Sequence, residues 1–234
     1  MKLLIIRPQP GADATAQRVR AAGHQPIVMP LFAIEPLAWE APDPDRYDAL
    51  LLTSGNAVRM AETGLQALSR LPIYAVGAAT AAAARAAGLD VVRQGSSDAA
   101  DLLHSLSPSL SGEVWDFKLL WLCGQDRTDL PPTPGISIDA VAVYESAPLP
   151  ATRDFLKAVG KADHILLHSA RAANHFAAIC DAAGIARAGI GLGAFSPAVA
   201  AAAGAGWRDV AIAPEPNDAA LLSLLANNSR TAAT

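Results

Sequence analysis

The chain has 234 residues, a formal charge of −4 and 52% apolar side chains. This length allows one large or two small domains, and the apolar content supplies a core in either case. The acidic balance excludes a broad polyanion-binding face, and with it a nucleic-acid partner, but leaves room for a local anion site built from backbone N–H groups.

MKLLIIRP reads as a first strand. Its apolar run stops at Arg7 and Pro8, too short for a signal peptide, and no later run approaches the ~20 residues of a membrane span. ADATAQRVRAAG has a helical period, with Asp13 or Thr15 as N-cap and Gly23 as the stop. QPIVMPLFAIEPL is extended, because its prolines forbid a helix and most central-strand positions. WEAPDPDR is the first candidate crossover between domains. YDALLLTS is then a strand and Asn56 to Leu71 a helix; PIYAVG is a strand and AATAAAARAAG a helix stopped by Gly88. LDVVRQG is a short strand. SSDAADLLHSLSPSL is a helix capped by Ser97 or Asp98, KLLWLCG a strand, and DRTDLPPTPG a proline-rich loop. ISIDAVAVYESAPLP is a strand leading into a second proline-bounded crossing. TRDFLKAVGKA is a helix, HILLHS a strand and ARAANHFAAICDAAG a helix. AGIGLG is a strand, FSPAVAAAAGAG a helix with Ser196 as N-cap and Pro197 in its first turn, and RDVAIAP a strand. NDAALLSLLANN is the closing helix, capped by Asn217.

Strands alternating with helices of about three turns imply parallel, doubly wound sheets of the flavodoxin-like type. Two such lobes fit better than one. The last section has only three strands of its own, and KLLII and PIVMP complete it. The expected organisation is a discontinuous first lobe, 1–36 plus 147–227, with 37–146 inserted as the second and 228–234 as a flexible tail. Two extended crossings, at FAIEPL and VAVYES, join them as a two-stranded connector. An internal repeat supports two related halves. TSGNAV and HSARAA are matching strand-to-helix turns, each followed by a strand–glycine–hydroxyl–helix unit. The offsets from Ser54 to Gly77 and from Ser169 to Gly193 are 23 and 24 residues.

In open α/β sheets ligands sit beyond the C-terminal strand ends, where helix N-termini offer free N–H groups to carboxylates or phosphates. Those ends carry Thr53, Ser54, Gly55 and Asn56; Gly77, Ala79 and Thr80; Gly124 and Arg127; Ser169, Ala170 and Arg171; and Gly193 and Ser196. The competing structural role is that Ser54, Thr80, Ser169 and Ser196 are plain N-caps, each worth ~1 kcal/mol. Arg7 ends the first strand and is placed either to pair a ligand carboxylate or to close a lobe-to-lobe salt bridge, and Arg127, in the loop after LLWLCG, has the same two readings. Tyr144, in the second crossing, is either a proton donor or a half-buried packing residue. His168 is a structural histidine, and His24, His104 and His175 are solvated. Cys123 and Cys180 lie in apolar segments and read as reduced core thiols of a cytoplasmic protein, with no metal-like cluster. GxGxxG after the first strand, GxxxxGK[ST], HExxH and GxSxG are all missing. Besides an enzyme, a non-catalytic two-lobed binding protein for a small polyanion fits; a two-lobed glycosyltransferase would need a longer chain.

RPQPGADATAQRVRAAGHQPIVMPLFAIEPL, LLLTSGNAV, YAVGAATAAAARAAG, LWLCGQDRTDLP, VAVYES, LGAFSPAVAAAAGAG and IAPEPNDAALLSLL together resemble the uroporphyrinogen-III synthase family in order and spacing. Each segment is generic, but the ordered set is specific and covers nearly the whole chain. The resemblance implies two α/β lobes joined by a two-stranded connector, a monomer, and no metal or organic cofactor. It implies a linear tetrapyrrole substrate, hydroxymethylbilane, with acetate and propionate groups on every ring. The implied product is uroporphyrinogen III, formed by loss of water and inversion of ring D through a spiro intermediate. By similarity Tyr144 corresponds to a connector tyrosine that assists departure of the hydroxyl, and Ser54, Gly77, Thr80, Ser169 and Gly193 correspond to cleft-lining positions. The chain departs from the family at Phe195-Ser196-Pro197, where a threonine or a threonine pair is usual.

Overall fold

The computed structural model describes residues 1–95, 99–106 and 116–231. Ser97 and Asp98, the expected caps of the fifth helix, lie outside them. The first part of the chain forms β1 (Lys2–Ile5), α1 (Gly11–Ala21), β2 (Gln25–Val28) and β3 (Phe32–Pro36). The middle forms β4 (Ala49–Leu52), α2 (Gly55–Met60), α3 (Glu62–Ala67), β5 (Ile73–Ala75), α4 (Ala78–Ala86), β6 (Val91–Gln94), α5 (Ala99–Leu106), β7 (Phe117–Gly124) and β8 (Ile136–Pro148). The last part forms α6 (Arg153–Val159), β9 (His164–Leu167), α7 (Ala170–Ala182), β10 (Gly191–Ala194), α8 (Pro197–Ala203), β11 (Asp209–Ile212) and α9 (Asp218–Thr231). Two compact units divide the chain: unit 1 is Met1–Ala33 with Ala147–Thr234, and unit 2 is Ile34–Ser146.

Unit 1 holds a sheet of order β11-β10-β9-β1-β2 with parallel pairs throughout. Counted in order of appearance its strands run 2-1-3-4-5, the flavodoxin order, and the winding reverses between β1 and β9. LLII is a continuous apolar run because both faces of the sheet are covered. Leu4 and Ile6 pack with Phe155, Ala173, Phe176 and Val199 of α6, α7 and α8. Leu3 and Ile5 pack with Ala12, Ala16, Val19, Leu221 and Leu225 of α1 and α9. Pro26 is accommodated because β2 is an edge strand, where a missing N–H breaks no inner ladder.

Unit 2 holds the order β3-β8-β7-β4-β5-β6, in which β4 to β8 are mutually parallel. Its five parallel strands run 3-2-1-4-5 from β6, so the winding reverses between β4 and β7. Leu50, Leu52, Leu120 and Leu122 face the α2–α4 layer. Ala49, Leu51, Leu119, Trp121 and Cys123 face α5. Within unit 2, Leu37 N–H donates to the Val143 carbonyl, and within unit 1, Leu149 N–H donates to the Leu31 carbonyl.

Several local expectations change. The helix expected over Asn56 to Leu71 is two, α2 and α3, meeting at Ala61, which ends one and opens the other. Gly64 gives up a side chain so that the Trp39 ring can lie against α3. Neither Asp13 nor Thr15 caps α1: it starts at Gly11 after Pro10, and Thr15 is fully buried in its second turn. Residues 228–231 belong to α9 rather than to a tail. The internal repeat also aligns differently. The caps that open α2 and α4 are Ser54 and Gly77, and those that open α7 and α8 are Ser169 and Ser196. Gly77 therefore corresponds to Ser196, not to Gly193, and Thr80 is buried in α4 instead of capping it. Gly77 adopts φ 82° and ψ 157°, a conformation essentially restricted to glycine, and has open space where a Cβ would stand. A Gly77→Ala variant should lose about 1–3 kcal/mol of stability by backbone strain alone, read as a lower urea midpoint with an unchanged slope.

Candidate active site

The reversal of winding in unit 2 leaves the ends of β4 and β7 uncovered, and a cavity of about 270 Å³ opens there. Thr53, Trp121, Gly124, Arg127, Thr128 and Tyr144 line it, with Val76, Ala99, Cys123, Asp126 and Leu130. Three features build it. Leu51 of β4 pairs in register with Trp121 of β7, and Thr53, two residues on, falls on the same face. The indole N–H of Trp121 donates to Thr53 Oγ1 at 3.1 Å. The Arg127 guanidinium stands over the Trp121 ring, 5.6 Å from its centroid, a cation–π contact.

The register of β7 and β8 shifts between Cys123 and Gly124, so that Gly124 pairs with Tyr144. Bulges of this kind re-aim side chains beside functional sites. A Cβ at Gly124 would lie 2.9 Å from the Tyr144 ring and 3.1 Å from its hydroxyl. Glycine is thus the residue that lets the phenol lie across the end of β7. Burial raises the Cys123 thiol, with Arg127 opposing, so the sulfur at the cavity wall is a protonated packing group.

Unit 1 has an open cavity of about 530 Å³ lined by Phe32, Pro148, Arg171, Asn174 and His175. Arg171 stands over the Phe32 ring at 4.9 Å, and the His175 ring lies 5.2 Å from that of Phe32. His175 is therefore half-buried rather than solvated, with Nε2 out of contact with water. Exposed Ser169 opens the thirteen-residue α7 beside it, its hydroxyl accepting from Ala172 N–H at 3.2 Å.

The family model of uroporphyrinogen-III synthase HemD matches residues 13–223. The chain belongs to the uroporphyrinogen-III synthase family. Its fold is similar to that of the uroporphyrinogen-III synthetase of Helicobacter pylori, at 17% identity and a TM-score of 0.63, covering 97% of this chain and 99% of that one. The Thermus thermophilus uroporphyrinogen III synthase is 20% identical over 98% of this chain and 97% of that one, with a TM-score of 0.42. Members of the uroporphyrinogen-III synthase family are cyclising lyases of tetrapyrrole biosynthesis, and the chain is an enzyme of this class, closing hydroxymethylbilane to uroporphyrinogen III.

Of the residues singled out in the sequence, the unit 2 cavity brings together Thr53, Gly124, Arg127 and Tyr144. Trp121 was missed, because a tryptophan inside an apolar strand reads as core; only its position three residues before the strand end hinted otherwise. Ser54 caps α2 by accepting from Asn56 N–H at 3.1 Å, and the Asn56 side chain accepts from Arg59. Gly55 allows close approach of α2 to α4: its Cβ would meet that of Ala83 at 3.3 Å. Ala79 is exposed in the first turn of α4. Gly193 does not reach a ligand surface. It is buried in β10, where a Cβ would press on Leu166 and Leu221. Ser196 caps α8, accepting from Val199 N–H at 3.3 Å. Phe195, the departure from the family pattern, packs edge-on against His168 at 4.3 Å.

Arg7 finds its hydrogen-bond partner inside its own unit. It folds back over Gly11 and donates to Thr15 Oγ1 at 3.3 Å, within unit 1. Thr15 donates to Asp218 Oδ2 at 2.8 Å, Arg18 donates to the same oxygen at 2.7 Å, and His168 Nε2 meets Oδ1 at 3.0 Å. The Asp218 and His168 side chains are only 4% and 6% exposed. Desolvation lowers the His168 pKa against the pull of Asp218, so the ring is neutral at pH 7 with Nε2–H donating. Burial raises the Asp218 carboxyl, but hydrogen bonds from His168, Thr15 and Arg18 outweigh it and hold it at about 2.

Two outcomes follow from this geometry. Asp218 has a folded pKa below its ordinary 3.8, so its contribution is present above about pH 4 and lost as pH falls toward 2. Asp218→Asn should cost about 2 kcal/mol in urea unfolding at pH 7, a difference that shrinks between pH 4 and 2. Gly124→Ala should swing the Tyr144 ring aside and lower kcat with little change in melting temperature. A kcat like that of the parent would show that the phenol does not need this place.

Proposed function

We propose that the unit 2 cavity holds the reacting end of the substrate and that Tyr144 is its proton donor. The carrying observation is the phenol laid across Gly124 beside Thr53 and Arg127. Tyr144 gives its proton to the hydroxyl of the hydroxymethyl group, which leaves as water. The pyrrole nitrogen lone pair expels it and generates the electrophilic methylene. Ring D then attacks through its substituted carbon, the spiro species opens, and closure with ring D inverted releases a proton that returns to the phenolate. Hydroxymethylbilane closes unaided to the uninverted isomer. The protein's contribution is therefore to hold the crowded carbon of ring D nearest, and orientation alone can supply ~7–11 kcal/mol.

Thr53, Arg127 and Thr128 offer donors to substrate carboxylates in unit 2. In unit 1, Ser169, Ala170 and Arg171 at the start of α7 are the matching group, since a thirteen-residue helix carries a developed dipole. Helices α2 and α8 have only six and seven residues, which makes Ser54, Gly55, Asn56 and Ser196 weaker anion sites. The enzyme is further proposed to act as a cytoplasmic monomer without a nucleic-acid partner. Two buried thiols outside any disulfide support a reducing compartment. Tyr144→Phe should lower kcat for hydroxymethylbilane by about 10²-fold with KM and fold retained. Unchanged turnover would return Tyr144 to a packing role.

A further inference from the structure

We propose that Trp121 is a positioning residue for this reaction: it engages one lone pair of the Thr53 hydroxyl, biasing its proton toward the ligand, and holds Arg127 beside it, so that the pair favours a carboxylate of the tetrapyrrole over a pyrrole N–H. The inference rests on the unit 2 cavity being the substrate site.

An indole N–H can only donate. By reaching Thr53 Oγ1 at 3.1 Å it occupies a lone pair of that hydroxyl. No other side-chain hydrogen bond to Thr53 occurs among the described residues, so the threonine proton is left for a ligand. Without the indole, both lone pairs of the hydroxyl are unengaged and it is free to rotate about its C–O bond, proton away from the ligand. A hydroxyl turned that way would present lone pairs to the ligand, which suits a pyrrole N–H and repels a carboxylate. Trp121 thus sets the polarity of the site through Thr53.

The same ring is a rigid platform. Trp121 is 5% exposed and sits between Leu51 of β4 and Ala140 of β8 in the sheet register. It has no freedom to follow the ligand, so Arg127 over its face and Thr53 at its edge keep a fixed separation. Trp121 also walls off a second cavity of about 250 Å³ under Pro131, Pro132 and Thr133. The loop that brings in Arg127 therefore rests on both sides of this one indole. A hydrogen bond from a neutral donor to a carboxylate, once its orientation is lost, corresponds to about a ten-fold weakening of binding.

The test is steady-state kinetics on hydroxymethylbilane with isomer analysis, together with indole ¹⁵N–¹H spectra of the intact enzyme. Thr53→Val and Trp121→Phe should each raise KM about ten-fold with kcat within about two-fold, and Thr53→Ser should restore the parent KM. Phenylalanine keeps a ring face for Arg127, so Trp121→Phe mainly removes the N–H. The double variant should be within about two-fold of Thr53→Val, because both changes remove one oriented donor. The indole signal that vanishes in Trp121→Phe should move in Thr53→Val and again when uroporphyrinogen III is added to the parent. Multiplying KM effects in the double variant, or an unchanged KM in Thr53→Val while the parent still forms isomer III, would overturn the role of Trp121. A parent enzyme yielding isomer I alone would overturn the substrate assignment beneath it as well. Should Trp121→Phe fail to fold, Thr53→Val and the indole signal decide the matter alone.

Discussion

A parallel sheet wound in both directions leaves one place where two neighbouring strands send their chains to opposite faces. No crossover covers the strand ends there, and their polar groups must find partners among side chains, solvent or a ligand. In unit 2 this place lies between β4 and β7. The leucine-rich strands and their helical layers fix a register in which Leu51 meets Trp121. Everything at the site is a consequence of that register. Thr53 falls at the N–H edge of the indole, Gly124 ends the neighbouring strand, and the shifted pairing of β8 sets Tyr144 opposite it.

Unit 1 resolves the same geometric problem differently. Its winding reverses between β1 and β9, and Arg7 and His168 leave those two strands side by side. Here the exits are closed internally. Asp218, from the first turn of α9, takes hydrogen bonds from Thr15, Arg18 and His168, and Arg7 is folded against Thr15. The carboxylate also lies at the helix end where the macrodipole favours it. Such a buried network fixes how α1, α9 and the β9 exit pack, because removing one member strands the charge of another. The open cavity of unit 1 lies instead beside the start of α7, at Arg171 and His175.

The alternation of strands and helices was legible because buried parallel strands are unbroken apolar runs and their helices carry Ser, Asn or Gly at the ends. Ser54, Ser169 and Ser196 are caps, and Gly23 and Gly88 are stops with positive φ, as local chemistry dictates. Contacts that join distant segments were not legible. Thr15 looked like a cap because a hydroxyl near a helix start usually is one; its partner Asp218 is 203 residues away. Gly193 looked like a loop glycine because two glycines precede a helix start, but its role is set by Leu166 and Leu221 on other elements. Trp121 was hidden for the complementary reason. Its apolar bulk satisfies the strand pattern, and nothing in that pattern says where the indole N–H goes.

An acidic chain that binds a ligand rimmed with carboxylates cannot rely on net charge, which sets only the long-range field. Short-range donors with fixed orientation must do the discriminating, and they gain strength where the local dielectric is low. The unit 2 cavity offers donors of this kind. One cation is held on a ring face, one hydroxyl is oriented by an indole, and one phenol is accommodated by a missing side chain. None of these is a strong acid or base, and the reaction does not call for one, since the unaided substrate already cyclises. What it calls for is a choice between two carbons of the same ring. Under the assignment proposed above, oriented donors make that choice by holding the rest of the molecule, and a sheet register and one bulge govern which isomer forms.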